Sequence, residues 1–108
     1  MLKHTRQRDR ITVWLAGELD HCSALPIKTE LDRLIADPSV RHLIMDLQGL
    51  QFMDSSGIGV ILGRYRTLAA RGGSVSVRGM SAQINRIFQL SGMGQVIRVA
   101  EQGREGVK

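Results

Sequence analysis

The chain has 108 residues, 43% of them hydrophobic, with 15 Lys and Arg against 10 Asp and Glu for a net charge of +5. That length suits one domain with a single core, which buries roughly two-thirds of the unfolded surface without staples. A lone Cys22 excludes an intrachain disulfide and a zinc cluster, and no run nears the ~18 apolar residues of a membrane span.

Met1-Leu2-Lys3-His4-Thr5-Arg6 turns to charge before a signal core can form, so a soluble, cytoplasmic protein is expected. Charge is uneven along the chain. Between Ser55 and Ala100 there are arginines at 64, 66, 71, 78, 86 and 98 and no Asp or Glu. A second basic cluster is Lys3, Arg6, Arg8 and Arg10. Such a field attracts anionic partners in general and does not choose among them.

Residues 2–7 and 10–16, parted by Asp9, read as a hairpin; the alternating Ile11-Thr12-Val13-Trp14-Leu15 is the clearer strand. From about Ser23 to Asp37, Leu25, Ile27, Leu31, Leu34 and Ile35 recur at helical spacing. Asp20 or Ser23 can cap this helix, Pro26 fits only its first turn, and Asp37-Pro38 stops it. Arg41 to Leu47 is an apolar strand expected to be buried on both faces, with Gln48-Gly49-Leu50-Gln51 as a turn. A second helix is expected over about 56–70 with an apolar stripe of Ile58, Ile61, Leu62, Tyr65, Leu68 and Ala69, closed by Arg71-Gly72-Gly73.

Ser74 to Arg78 alternates as a strand. Ser81 caps a third helix carrying Ile84, Ile87, Phe88 and Leu90, and Gln95 to Val99 is the last strand. The order β-β-α-β-α-β-α-β predicts an α/β fold: a mostly parallel mixed sheet with an N-terminal hairpin strand and right-handed crossovers. A single domain over 1–100 is expected, followed by a short frayed tail over 101–108.

The stretch with chemical content is Phe52-Met53-Asp54-Ser55-Ser56-Gly57-Ile58-Gly59-Val60, where a strand gives way to a helix. A nucleophile elbow needs glycine two residues before the serine, and neither Ser55 nor Ser56 has one. His21 alone among the histidines falls in a loop able to face Ser55, but no acid or oxyanion partner completes a hydrolytic set. Gly57, Gly59 and Gly63 are spaced G-x-G-x-x-x-G, one residue too long for a dinucleotide fingerprint, and the acid expected ~20 residues on is missing. Gly63-Arg64-Tyr65 is not the end of a P-loop.

What remains is a helix start with unsatisfied N–H groups, where Ser55 is expected as N-cap, worth ~1 kcal/mol. Three glycines in one helix cost on the order of 2–3 kcal/mol relative to alanine. Gly63 is expected to serve internal packing, and Gly57 and Gly59 to bare the first turn for a partner. A phosphate on Ser55 would add about −1.5 to −2 charge beside the helix dipole, altering what docks there without unfolding the domain.

The run Leu15-Ala16-Gly17-Glu18-Leu19-Asp20-His21, the strand Arg41 to Leu47, and Phe52-Met53-Asp54-Ser55-Ser56-Gly57-Ile58-Gly59 through Gly63-Arg64-Tyr65 together resemble STAS domains. More narrowly, they resemble the anti-sigma F factor antagonists of sporulating bacteria. The likeness continues through Arg86-Ile87-Phe88 and Leu90-Ser91-Gly92. It implies the STAS fold, with helices mainly on one face of the sheet, and a non-enzymatic regulator.

By that resemblance, the unphosphorylated chain binds an anti-sigma factor that is also a serine kinase and so releases a sigma factor, with sporulation the process suggested. Phosphorylation at Ser55 ends the binding, and a serine phosphatase restores it. Asp20, Asp54, Ser56, Gly57, Ile58, Gly59 and Arg64 are the implied partner-binding residues. ATP and magnesium belong to the kinase, so this chain needs no cofactor or metal. Two departures stand out: the family's further apolar helix after the last strand is reduced here to a short tail, and the second half of the chain is basic.

Two other readings remain open. One is an STAS subunit of a transport or stress-signalling assembly, with Ser55 a cap and no switch. The other is a basic nucleic-acid-binding module, disfavoured because Trp14, Phe52, Tyr65 and Phe88 all fall at expected core positions. Neither a membrane nor direct nucleic-acid contact is expected.

Overall fold

A computed structural model describes residues 2–100; the tail expected over 101–108 lies outside them. The elements are β1 (Leu2–Gln7), β2 (Arg10–Leu19), α1 (Ala24–Leu34), β3 (His42–Met53), α2 (Ser55–Ala69), β4 (Ser74–Arg78), α3 (Ala82–Leu90) and β5 (Arg98–Ala100), with a 3₁₀ turn at Met93–Gln95. The strands lie side by side in chain order, β1-β2-β3-β4-β5. β1 pairs antiparallel with β2, and the other pairs are parallel.

That order decides the layering. Each parallel connection steps to the next strand in the same direction, and right-handed crossovers then put every helix on the same side of the sheet. The core is accordingly one-sided: Ile11, Val13, Leu15 and Leu19 of β2, Leu43, Met45 and Leu47 of β3, and Val75 and Val77 of β4 are buried. Against them pack Ile27 and Leu31 of α1, Val60, Ile61 and Leu68 of α2, and Ile84 and Phe88 of α3. Among the described residues the opposite face carries no helix, so β3 is not buried on both faces as expected: Ile44 is half-buried, and Gln48 and Gly49 are exposed.

Other boundaries shift for local reasons. The turn expected at 48–51 is strand, because register shifts between Trp14 and Ala16 and between Gly17 and Glu18 absorb the irregularity and let β2 and β3 stay paired to Leu19 and Met53. Gly17 adopts φ +93° at the second shift, a conformation that favours glycine. Leu25 is 68% exposed rather than core. It stands two residues before buried Ile27, about 200° around the helix. The buried stripe of α2 runs through Gly57, Val60, Ile61, Arg64 and Leu68, so Ile58, Leu62 and Tyr65 flank it and Ala69 is exposed. Ser81 Oγ accepts from Ile84 N–H at 3.1 Å, as the sequence suggests, whereas Leu90 is 81% exposed. Gln95 and Val96 belong to and follow the 3₁₀ turn, which leaves β5 only three residues.

Half of the basic field is consumed by the fold. Arg71 donates to the carbonyls of Asp37 and Val40 (3.2 and 2.9 Å), Arg78 Nε lies 3.0 Å from Asp46 Oδ2, and Arg64 turns to Asp32. At the hairpin, Arg6 Nη1 donates to Asp37 Oδ2 at 2.9 Å and Ser39 N–H to Asp37 Oδ1 at 2.9 Å. The Ser39 amide, then the Arg6 guanidinium, hold the Asp37 carboxyl well below its ordinary value of 3.8. A depressed carboxylate stabilises the fold above its unfolded pKa and loses that contribution as pH falls. Asp37→Asn should therefore lower the urea midpoint at neutral pH, with a penalty that shrinks as pH is taken below 3.8. A penalty constant with pH would contradict this account.

Candidate functional site

The C-terminal ends of β2 and β3 are neighbours, with Leu19 opposite Met53. The chain segments leaving them therefore emerge together: the loop 20–23 before α1, and Asp54 at the start of α2. Asp54 joins the two. Its backbone is extended (φ −121°, ψ −168°), and Oδ1 accepts from Ser56 N–H at 2.8 Å and, more weakly, from Gly57 N–H at 3.4 Å. Oδ2 accepts from His21 N–H at 3.2 Å, across the gap between the loops. Asp54, not Ser55, is thus the N-cap of α2. An aspartate offers two acceptor oxygens where a serine offers one, which allows it to serve the helix and the neighbouring loop at once.

Ser55 is released from the capping role and is the first residue of α2, exposed. Two of the N–H groups at the helix start, those of Ser56 and Gly57, are thereby met by the Asp54 carboxylate. A phosphate on Ser55 would meet that carboxylate rather than open N–H groups, so like-charge repulsion directs it outward to solvent or a partner.

Asp20 organises the other loop. Its Oδ1 accepts from Cys22 N–H and Ser23 N–H, both at 3.0 Å, while Asp20 N–H donates to Ser23 Oγ at 2.9 Å. These contacts, the Ser23 amide first, lower the Asp20 pKa and keep it a carboxylate. Neither residue caps α1 in the expected way: Ser23 occupies the N-cap position without a side-chain cap bond, and Asp20 closes the turn before it. Asp54 thus precedes Ser55 directly, while Asp20 shapes the neighbouring loop that His21 N–H ties to Asp54.

The other expected partner residues divide. Gly59 is exposed; Ser56 and Ile58 are half-buried. Gly57 is buried, and a Cβ there would stand 2.6 Å from both Leu19 O and Met53 Cγ, so it lets α2 close onto the strand ends rather than baring a surface. A Cβ at Gly59 or Gly63 meets nothing within 4 Å, which removes the packing role expected of Gly63. Arg64 is 7% exposed and turned inward: Nε lies 3.1 Å from Asp32 Oδ1 in the gap between α1 and α2, and Nε and Nη1 are buried without an aligned hydrogen bond. Its position on α2, seven residues after Gly57, places it on the buried stripe and not on a partner surface.

Sequence reasoning assigned Leu25 and Phe52 to the core. Both are exposed, 68% and 41%: Leu25 follows the loop 20–23 in the first turn of α1, and Phe52 pairs with Glu18 two residues before Asp54. Apolar side chains bordering a polar turn are the composition of a protein-docking surface. The rotation of Leu25 away from Ile27 was the available signal.

No group of three or more metal-ligating side chains occurs among the described residues, and no helix among them is long and apolar enough to cross a membrane.

The family model for the STAS domain matches residues 3–105. The chain is 36% identical over 92 residues to an anti-sigma F factor antagonist of Paenibacillus polymyxa, covering 85% of this chain and 79% of that protein. It is 39% identical over 87 residues to one of Lysinibacillus sphaericus, covering 81% and 74%. Among solved structures it is similar to the anti-sigma factor antagonist SpoIIAA in its unphosphorylated form, with a TM-score of 0.84 at 30% identity over 99% of this chain and 92% of that one. The Bacillus SpoIIAA in its phosphorylated form superposes with a TM-score of 0.77 at 30% identity, over 99% and 96%.

The glycines separate fold from surface by experiment. Gly57→Ala should lower stability, since Leu19 O is backbone and cannot yield. Gly59→Ala and Gly63→Ala should each raise it by about 0.5–1 kcal/mol. Urea unfolding of the three variants checks this, and a loss of stability at Gly63 would contradict it.

Proposed function

The chain belongs to the STAS domain family, and on that footing we propose that it is an anti-sigma factor antagonist whose binding is switched by phosphorylation of Ser55. The observation that carries the reading is the exposed Ser55 at the first position of α2, freed by the Asp54 cap and next to the loop 20–23 that His21 N–H ties to Asp54. Relatives and a structural neighbour with the name anti-sigma factor antagonist support the partner class.

The mechanism is one of surface chemistry. Unmodified, the Ser55 turn is compact and uncharged at its tip, and an anti-sigma factor closes over it, with Leu25 and Phe52 as apolar anchors. The antagonist thereby frees a sigma factor, and transcription proceeds. The same anti-sigma factor acts as a kinase. Ser55 Oγ attacks the γ-phosphorus of its ATP, the bond to ADP breaks, and the hydroxyl proton passes to a base of the kinase. ATP and magnesium are supplied by that kinase.

The product carries about −1.5 to −2 additional charge directly after Asp54. In a desolvated contact a phosphate beside the Asp54 carboxylate is strongly unfavourable, so the complex dissociates. The Asp54 bonds that hold the turn do not involve the Ser55 hydroxyl, so the fold is expected to survive. A serine phosphatase hydrolyses the ester and returns the hydroxyl. Arg64, being inside, acts on this surface only by seating α2 against α1.

Incubation with a cognate anti-sigma kinase and ATP should label Ser55 alone in phosphopeptide mass spectrometry. Ser55→Ala should bind that kinase without being labelled, and Ser55→Asp should lose binding by 100-fold or more, about 3 kcal/mol. A complex that forms equally well with Ser55→Glu would instead favour an STAS subunit of a constitutive assembly. Leu25→Asp should weaken the complex by about 10-fold or more with little change in stability, as expected for an exposed anchor; unchanged affinity would remove Leu25 from the surface.

A further inference from the structure

The face of the sheet opposite α1, α2 and α3 has its own composition. The strand registers place residues in rows across it: Lys3, Trp14, Asp46, Arg78 and Ala100 in one, and Thr5, Thr12, Ile44, Ser76 and Arg98 in the next. Arg10 begins a third row beside His42 and Ser74. Trp14, second in the first row, is 37% exposed. Beside it a groove of about 380 Å³ runs between Lys3, Ala16, Asp46 and Gly49, where small residues leave space next to the indole.

The charge balance of the face is positive. Asp46 is buried and committed, accepting from Arg78 Nε and from Gln48 N–H, both at 3.0 Å. His42 Nδ1 is 2.8 Å from Ser74 Oγ, and its Nε2 is 3.8 Å from the peripheral Asp9. Lys3, Arg10 and Arg98 are exposed and make no ion pair among the described residues. They surround Trp14 at distances set by strand spacing: Lys3 on the adjacent strand, about 5 Å across the ladder; Arg10 four residues down the same strand, about 13 Å; Arg98 three strands away, about 15 Å. That is the scale of a few nucleotides.

We propose that this face binds single-stranded nucleic acid, with a base stacked on the Trp14 indole in the groove and backbone phosphates on Lys3, Arg10 and Arg98. An aromatic on an open sheet with cations at its margin is a combination that reads stacked bases and phosphates together. An acidic protein segment would use the cations but leave the slot beside Trp14 without a role. The face is opposite the helices and apart from the Ser55 turn, so the two sites are separable.

Trp14 is the only tryptophan, so its fluorescence reports on this site alone. Mixed-sequence single strands of about 12 nucleotides should quench it, with log K falling against log salt at a slope of about −2 for three phosphate contacts. Trp14→Ala should weaken binding about 5- to 150-fold by anisotropy of a labelled strand, with Trp14→Phe retaining most of it. Arg98→Ala should reduce the salt slope by about 0.7 with the circular dichroism unchanged. Ser55→Asp should leave all of this unaltered. The proposal is overturned if no strand quenches Trp14, if Trp14→Ala binds like the parent chain, or if polyglutamate or phosphatidylserine vesicles compete as well as the single strand.

Discussion

The strand order is the constraint from which the rest follows. Because β1 to β5 lie side by side in sequence order, every right-handed crossover deposits its helix on one side. One face becomes the core wall, and the other carries no helix among the described residues. The same order sets β2 next to β3 in parallel, so the loop before α1 and the first turn of α2 leave the sheet at one place. The Asp20 loop and the Ser55 turn meet through topology, before any side chain specifies their contact. Asp54 then makes that meeting specific by accepting from α2 amides with one oxygen and from His21 with the other.

Within that frame, chemically similar residues take different tasks according to position. Gly57 permits a backbone approach, while Gly59, two residues on, faces open space. Ser55 and Ser56 are adjacent hydroxyls, yet only Ser55 is exposed. Arginines that look like one basic field separate into those that tie the fold, Arg64, Arg71 and Arg78, and those left at the surface, Arg66, Arg86 and Arg98. A switch at Ser55 needs this division, since modification has to alter what the surface presents without loosening what holds it.

Much of the architecture was legible in the sequence because it rests on periodicity. The hairpin expected at 2–7 and 10–16, whose second strand runs on to Leu19, β4 at 74–78 and the Ser81 cap follow from alternation and from local side-chain chemistry. The STAS resemblance likewise anticipated the family and fold that the comparisons bear out. What escaped was decided by contacts distant in sequence. Gln48-Gly49 resembles a turn until the β2 register shifts absorb it, and Arg64 resembles a surface cation until Asp32 of α1 faces it. Trp14 and Phe52 were assigned to the core on hydrophobicity alone, which cannot show that one sheet face carries no helix among the described residues. The cap was misplaced by one residue because Asp54 and Ser55 are both good N-caps, and only the second loop, through His21, distinguishes them.

The central claim is that a charge at Ser55 controls association and leaves the fold intact. The direct measurement is calorimetric titration of one anti-sigma factor with the unmodified chain and with the same chain stoichiometrically phosphorylated at Ser55, with the urea midpoint of each recorded in parallel. The account predicts that binding heat is lost on phosphorylation while the midpoints stay within the equivalent of about 1 kcal/mol. Equal affinity of the two forms, or loss of binding accompanied by collapse of the midpoint, would contradict it.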